Sequence, residues 1–221
     1  MPNRRRRFAA ELRAPFRLVF HRSSPQDPDP DPEAPLRIPE VEFIAYAEDC
    51  TLSGRIGLSE ERLSDLLNQH ESFQLVDVLV TPLDGSLAIE LHDLLITRDE
   101  LFLVQATGPR GNAARRQRTR QHPIVVKAAP YEVHGFVHTI PGSDPIASFR
   151  RRRPMVAVSD AVVRFSLAGQ SQERRAGTVI INRDLIDWIA EGQDEALASL
   201  DMPAEAAGPL AKDFTGNLLL G

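Results

Sequence analysis

The sequence predicts a mainly β protein with short helices, arranged as two tandem small modules, each a barrel or a compact sheet. Three observations predict it. Apolar runs of strand length alternate with turn signals from Val41 to Ile189. The signals come in one order in residues 41–104 and again in 124–190: strand, strand, short helix, strand, strand, Arg-Asp turn, strand. The turn itself recurs, as Arg98-Asp99 after Ile96-Thr97 and as Arg183-Asp184 after Ile181-Asn182. A module of about 60 residues can close its sheet and so hide its edges.

In the first module, Val41–Tyr46 and Thr51–Leu58 read as strands. Ser59 is placed to cap a helix, with Glu60 and Glu61 in its first turn and Leu63, Leu66 and Leu67 on one face. Leu58 and Leu63 fit a hydrophobic staple across that cap. Phe73–Thr81 is a strand, Asp84-Gly85 a turn, Ser86–Ile96 a strand, and Leu101–Val104 a short one after the Arg-Asp turn. In the second module the strand from Tyr131 to Ile140 is the clearest. Asp144-Pro145 offers an N-cap with proline in the first helical position, and Ile146 and Phe149 follow at helical spacing. Met155–Leu167 is one long strand or two, Ala168-Gly169 turns it, and Thr178–Ile181 and Leu185–Ile189 complete the module. Aligning the copies sets Gly54-Arg55-Ile56 beside Gly135-Phe136-Val137. Phe73–Val76 then lies beside Met155–Val158, with Asp77 and Asp160 just beyond.

The flanks have a different character. Residues 1–22 form a basic segment in which Phe8, Leu12, Phe16, Val19 and Phe20 share one helical side and Arg6, Arg13 and Arg17 the other, interrupted by Pro15. Residues 23–40 alternate proline with acids and read as a disordered linker. Residues 105–123 form a basic connector, and residues 191–221 a flexible acidic tail. A soluble, cytoplasmic setting is expected, with residues 4–22 able to rest on an anionic membrane surface. No run of about 18 apolar residues suggests a transmembrane helix. Cys50 is the only cysteine, which excludes an intrachain disulfide and a paired-cysteine zinc site.

Charge separates the modules more sharply than the net −5 suggests. Residues 41–100 hold three Arg against thirteen acids, and residues 101–183 hold fourteen Lys/Arg against four acids. The basic residues cluster twice, as Arg115, Arg116, Arg118 and Arg120 and as Arg150, Arg151, Arg152 and Arg153. If both clusters share a face they form an anion-binding patch, since guanidinium forks match phosphate geometry. Few aromatics interleave with them, which disfavours a stacking platform for single strands. The opposite charges of the modules equally fit complementarity within one chain or between chains.

Catalytic groupings are not evident. His134 and His138 lie four apart on a strand, about 13 Å along its axis, too far to share a metal. No serine lies in a nucleophile elbow, and Gly108-Pro109-Arg110-Gly111-Asn112 lacks the frame of a phosphate loop. Arg98, Asp99, Arg183 and Asp184 read as turn architecture. The expectation is a non-enzymatic binding or scaffold protein without cofactor, partnered by protein or by itself. The alternatives are nucleic acid, an anionic membrane surface or a small phosphorylated ligand.

Two resemblances add to this. Gly54-Arg55-Ile56-Gly57-Leu58, Arg62-Leu63-Ser64-Asp65-Leu66-Leu67-Asn68 and the two Arg-Asp turns resemble an uncharacterised bacterial family of small β domains over residues 41–190. The resemblance implies a fold and no activity. The second module departs from it, with Ile146-Ala147-Ser148-Phe149 where the first has a Leu-rich helix. Arg116-x-x-x-Arg120 resembles the arginine motif of PilZ domains, which bind cyclic dinucleotides, but the Asp/Asn-x-Ser-x-x-Gly that should follow is absent after Arg120.

Overall fold

A computed structural model describes residues 38–111 and 118–192. The basic N-terminal segment, nearly all of the Pro/Asp linker, Arg115, Arg116 and nearly all of the acidic tail lie outside the described residues. The first half runs β1 (Glu40–Tyr46), β2 (Cys50–Gly57), α1 (Leu63–Gln69), β3 (Ser72–Pro82), β4 (Ile89–Thr97) and β5 (Leu103–Gln105). The second runs β6 (Arg120–Ala128), β7 (Tyr131–Thr139), α2 (Pro145–Arg151), β8 (Met155–Leu167), β9 (Gln170–Asn182) and β10 (Trp188–Glu191). Short 3-10 turns, Arg98–Glu100 and Arg183–Leu185, precede β5 and β10.

All of the pairings are antiparallel, and the strands form one sheet in the order β10-β6-β7-β8-β9-β5-β1-β2-β3-β4. Each half therefore has the same internal pairing order, its last strand returning beside its first. The halves are continuous, because β5 gives one edge to β1 and the other to β9. The strand that could have closed the first half on itself instead joins it to the second.

The sheet bends at matching points. Gly54 and Gly135 each sit where the register of β2 on β3, and of β7 on β8, slips by a residue. Opposite them, Asp77 and Asp160 take left-handed conformations, with φ of 51° and 48°. A β-bulge of this kind increases local twist and lets a long strand fold over a core. The bulge also corrects the alignment read from sequence. Phe73 stands opposite Ile96 and Val156 opposite Ile181, so Phe73 corresponds to Val156 rather than to Met155.

Other differences have local causes. Helix α1 begins at Leu63 with Arg62 in the cap position, not at Ser59, and no side chain caps it. Leu58 and Leu63 are nevertheless both buried in one cluster. Helix α2 is capped as expected, Asp144 accepting from the Ala147 N–H at 2.6 Å with Pro145 next in line. Strand β6 starts at Arg120, inside the predicted connector, because Arg120–Pro123 pair in register with Phe136–Thr139. Strand β9 starts at Gln170 rather than Thr178, since its polar first half pairs with β8 as an exposed hairpin. Strand β10 starts at Trp188 because residues 183–185 form the turn.

Two apolar clusters fill the fold, and each borrows from the other half. Met155 and Ile180 belong to the cluster under the first half, while Tyr46 and Leu103 belong to that under the second. Polar groups fasten the joint. The Asn68 amide at the end of α1 donates to the Met155 carbonyl at 2.9 Å and accepts from the Met155 N–H at 3.1 Å. Asn182 donates to the Arg98 carbonyl at 3.1 Å. Tyr131 donates to the carbonyls of Ala47, at 2.7 Å, and Cys50, at 3.3 Å.

Candidate functional site

Where the halves meet, a groove of about 790 Å³ opens between the start of α1, the chain after β5, and strands β7, β8 and β9. Its floor is shallow in side chains: Ala106, Ala157, Ala176 and Gly177 line it. Its walls carry Arg62, Arg110, Thr107, Thr119, Thr178 and His138. Among the described residues no Asp or Glu lines it.

The sequence places the two guanidinium groups by opposite means. Arg62 is held in extended backbone, φ −144°, as the residue before α1. Its side chain lies against Gly111, where a Cβ would stand 2.0 Å from the Arg62 Nε, and Gly111 itself has φ +70°. Only glycine permits both the conformation and the approach. The Arg62 Nε is buried and, among the described residues, has no hydrogen-bond partner; it forms a long ion pair with Asp65 at 4.0 Å. Arg110, between the left-handed Gly108 and Gly111, reaches toward Gly177, 3.8 Å from where a Cβ there would stand. A larger residue at 177 would fill the floor beneath that guanidinium.

His138 is held from three directions. Its Nδ1 is 3.3 Å from Thr119 Oγ1 and its Nε2 is 2.8 Å from Ser159 Oγ. Its carbonyl accepts from Arg152. A hydroxyl stands on each side of the ring. A nucleophilic triad instead needs an acid to orient the imidazole. His134 pairs with Glu132 at 2.8 Å, which holds that carboxyl below its ordinary range. Among the described residues no group of three His, Cys, Asp or Glu could hold a metal ion.

The predicted anion-binding residues fall into three situations. Arg118 and Arg120 are exposed on either side of Thr119, and Arg120 pairs with Thr139 at the end of β7. Arg150, Arg151 and Arg153 are exposed at the end of α2. Arg152 is turned inward to the His138 carbonyl, and burial lowers its pKa. Arg118 and Arg120 flank Thr119, which lines the groove, whereas of the second cluster only Arg152 reaches the end of β7, as a structural tie, and Arg150 lines a separate hollow with Trp188. Arg183 is likewise engaged, donating to the carbonyls of Arg150, at 2.5 Å, and Arg152, which α2 leaves open at its C-terminus. In the turn that follows, the side-chain bond to the backbone comes from Asn182, which accepts from the Asp184 N–H at 3.2 Å, rather than from Asp184. Arg98 offers its main chain, donating to the Glu71 carbonyl at 2.7 Å, and Asp99 is exposed.

No family model, curated protein or solved structure matches this chain. The resemblance to small β domains therefore rests on its motifs alone.

Sequence reading missed Arg62 and Arg110 as a pair. They are 48 positions apart, and the β5–β9 joint brings them together. The available signal was an arginine framed by glycines in Gly108-Pro109-Arg110-Gly111. No helix among the described residues is long and apolar enough to cross a membrane.

Proposed function

We propose that this protein is a non-enzymatic binding module that takes a phosphate-bearing ligand in the groove between its halves. Arg62 and Arg110 are the recognition groups. The supporting observation is a groove lined, among the described residues, by two guanidinium groups and no carboxylate, one of them with a buried Nε lacking a hydrogen-bond partner. A buried donor without an acceptor carries a desolvation cost, which an incoming oxyanion would relieve. Guanidinium forks suit phosphate oxygens better than a point charge does. The threonine hydroxyls of the walls can add neutral hydrogen bonds. The volume is in the range of small-ligand sites, roughly 300–1,000 Å³. Arg118 and Arg120 at the rim would raise the local concentration of anions.

The test is calorimetric titration of the full chain with pyrophosphate and with a cyclic dinucleotide, for wild type, Arg62→Gln and Arg110→Gln. Wild type should bind at least one of them, with affinity falling as salt rises. Each substitution should weaken binding by about tenfold or more, the worth of one charge-assisted hydrogen bond. Both variants should melt within a few degrees of wild type. Absence of binding by wild type, or binding by both variants as tight as that of wild type, would refute the proposal.

A further inference from the structure

We infer that copies of this chain assemble head to tail, β10 of one copy pairing with the free edge of β4 in the next. Among the described residues, strands β4 and β10 are the two ends of the sheet, each hydrogen-bonded on one side only. They are also the counterparts of the strands that already meet inside the chain. In pairing order β4 corresponds to β9 and β10 to β5, and β5 and β9 form the joint between the halves. The chain therefore contains one finished example of the contact and both unpaired sides of a second.

The register carries over residue by residue. Val104 stands opposite Ala45 as Ile189 stands opposite Val126, so Leu103, Val104 and Gln105 match Trp188, Ile189 and Ala190. Phe73 opposite Ile96 matches Val156 opposite Ile181, so Val179, Ile180 and Ile181 match Leu94, Leu95 and Ile96. The internal joint pairs Leu103 with Ile181, Val104 with Ile180 and Gln105 with Val179. Its intermolecular copy pairs Trp188 with Ile96, Ile189 with Leu95 and Ala190 with Leu94.

Exposure supports this pairing. Ile180 and Leu103, inside the joint, are both 0% exposed, whereas their counterparts Leu95 and Trp188 are 73% and 48% exposed. Large apolar side chains left on an unpaired edge mark a surface that is ordinarily covered, since edge strands are otherwise defended by charge or proline. Strand β4 carries the exposed acids Glu90 and Asp93, with Asp99 just beyond. Two β4 edges brought together would set acids against acids, whereas at β10 Trp188 and Ile189 share a hollow with Arg150 and Arg183 as well as Asp184 and Asp187. Helix α2 adds a further match. Arg150 occupies the position that Asn68 holds in α1, from which Asn68 bonds the main chain across the internal joint. A head-to-tail contact of this kind repeats until it closes as a ring or extends as a filament.

The experiment is sedimentation velocity of the full chain over a wide concentration range, for wild type, Leu95→Lys and Trp188→Glu. Each substitution sits on an exposed side chain and places a charge in an apolar contact, so folding should survive while the contact is lost; circular dichroism and the melting midpoint provide that check. Wild type should sediment at twice the monomer mass or more, increasing with concentration. Each variant alone should be monomeric. An equimolar mixture should form a one-to-one dimer, because Leu95→Lys keeps its β10 edge and Trp188→Glu keeps its β4 edge. A wild type that stays monomeric would overturn the inference and mean that another segment or a different protein covers the edges. A Trp188→Glu variant that still dimerises alone would overturn it in favour of a symmetric β4 contact. Pyrophosphate binding should be unchanged in both variants, which separates this result from the fate of the groove.

Discussion

Replacing Tyr131 with Ala is expected to cost about 3–5 kcal/mol of folding stability, the range for removing a buried aromatic side chain. Tyr131 is fully buried. Its ring packs edge-on to Tyr46 at 5.3 Å and lies 5.7 Å from Phe165 and 6.2 Å from Phe102. Tyr46 and Phe102 come from the first half and Tyr131 and Phe165 from the second, so the cavity would open where the halves meet. The hydroxyl contributes separately. Burial pushes the phenol's pKa up, so it remains a donor at any ordinary pH, and it satisfies the Ala47 carbonyl. Tyr131→Phe keeps the ring and loses that donor, for an expected cost of about 1–2 kcal/mol. Denaturant unfolding of both variants checks this through the midpoint. A loss below about 1 kcal/mol for the Ala variant would mean that the aromatic cluster does not hold the halves together.

The second large effect is expected at the bulge of the second half. A Cβ at Gly135 would stand 2.7 Å from the Val158 Cγ1, 2.9 Å from the Ser159 carbonyl oxygen and 3.3 Å from the Ala161 Cα. Two of those three are main-chain atoms of β8, which cannot retreat without breaking the ladder. Gly135→Ala should cost about 2–3 kcal/mol, and Gly135→Val more, by overpacking. Gly54 has the same place in the first half with slightly more room, its nearest neighbours at 3.0, 3.1 and 3.3 Å. Gly54→Ala should therefore be the milder of the two. Thermal melts of the paired Ala variants test the ranking, and the reverse order would contradict the close approach at Gly135.

Much of this frame can be read from the residues. Met155–Leu167 coincides with β8, Ala168-Gly169 turns into β9, and Asp144-Pro145 opens α2. Those signals are local: an apolar run, a left-handed pair and a cap. The correspondence of Gly54 with Gly135 is also legible, because both bulges demand glycine for the same steric reason. The features that escape are those set by distant partners. Gln170–Gly177 has no apolar pattern, since this part of β9 is mostly exposed and is held by pairing with β8. Phe73 and Val156 align only once their pairing with Ile96 and Ile181 is seen. Arg152 reads as one of four equal arginines, yet it alone turns inward to a carbonyl. The groove is the least legible feature, because Arg62 and Arg110 belong to different segments and their neighbours Ala157, Gly177 and Thr178 come from the other half.

The two halves form one sheet, with Tyr131, Asn68 and the β5–β9 pairing binding them into a single unit. The chain has one probe in each half. Cys50 lies in the first half, 3% exposed, with its pKa pushed up to about 12 by burial and by the neighbouring Asp49. A buried, protonated thiol reacts only when its surroundings open. Trp188, the only tryptophan, lies in the second half. Unfolding the full chain in guanidinium at low protein concentration, following Cys50 labelling and Trp188 fluorescence in the same samples, should give one midpoint and one slope for both probes. Separate midpoints, with one half labelled or unfolded while the other stays native, would contradict the single sheet.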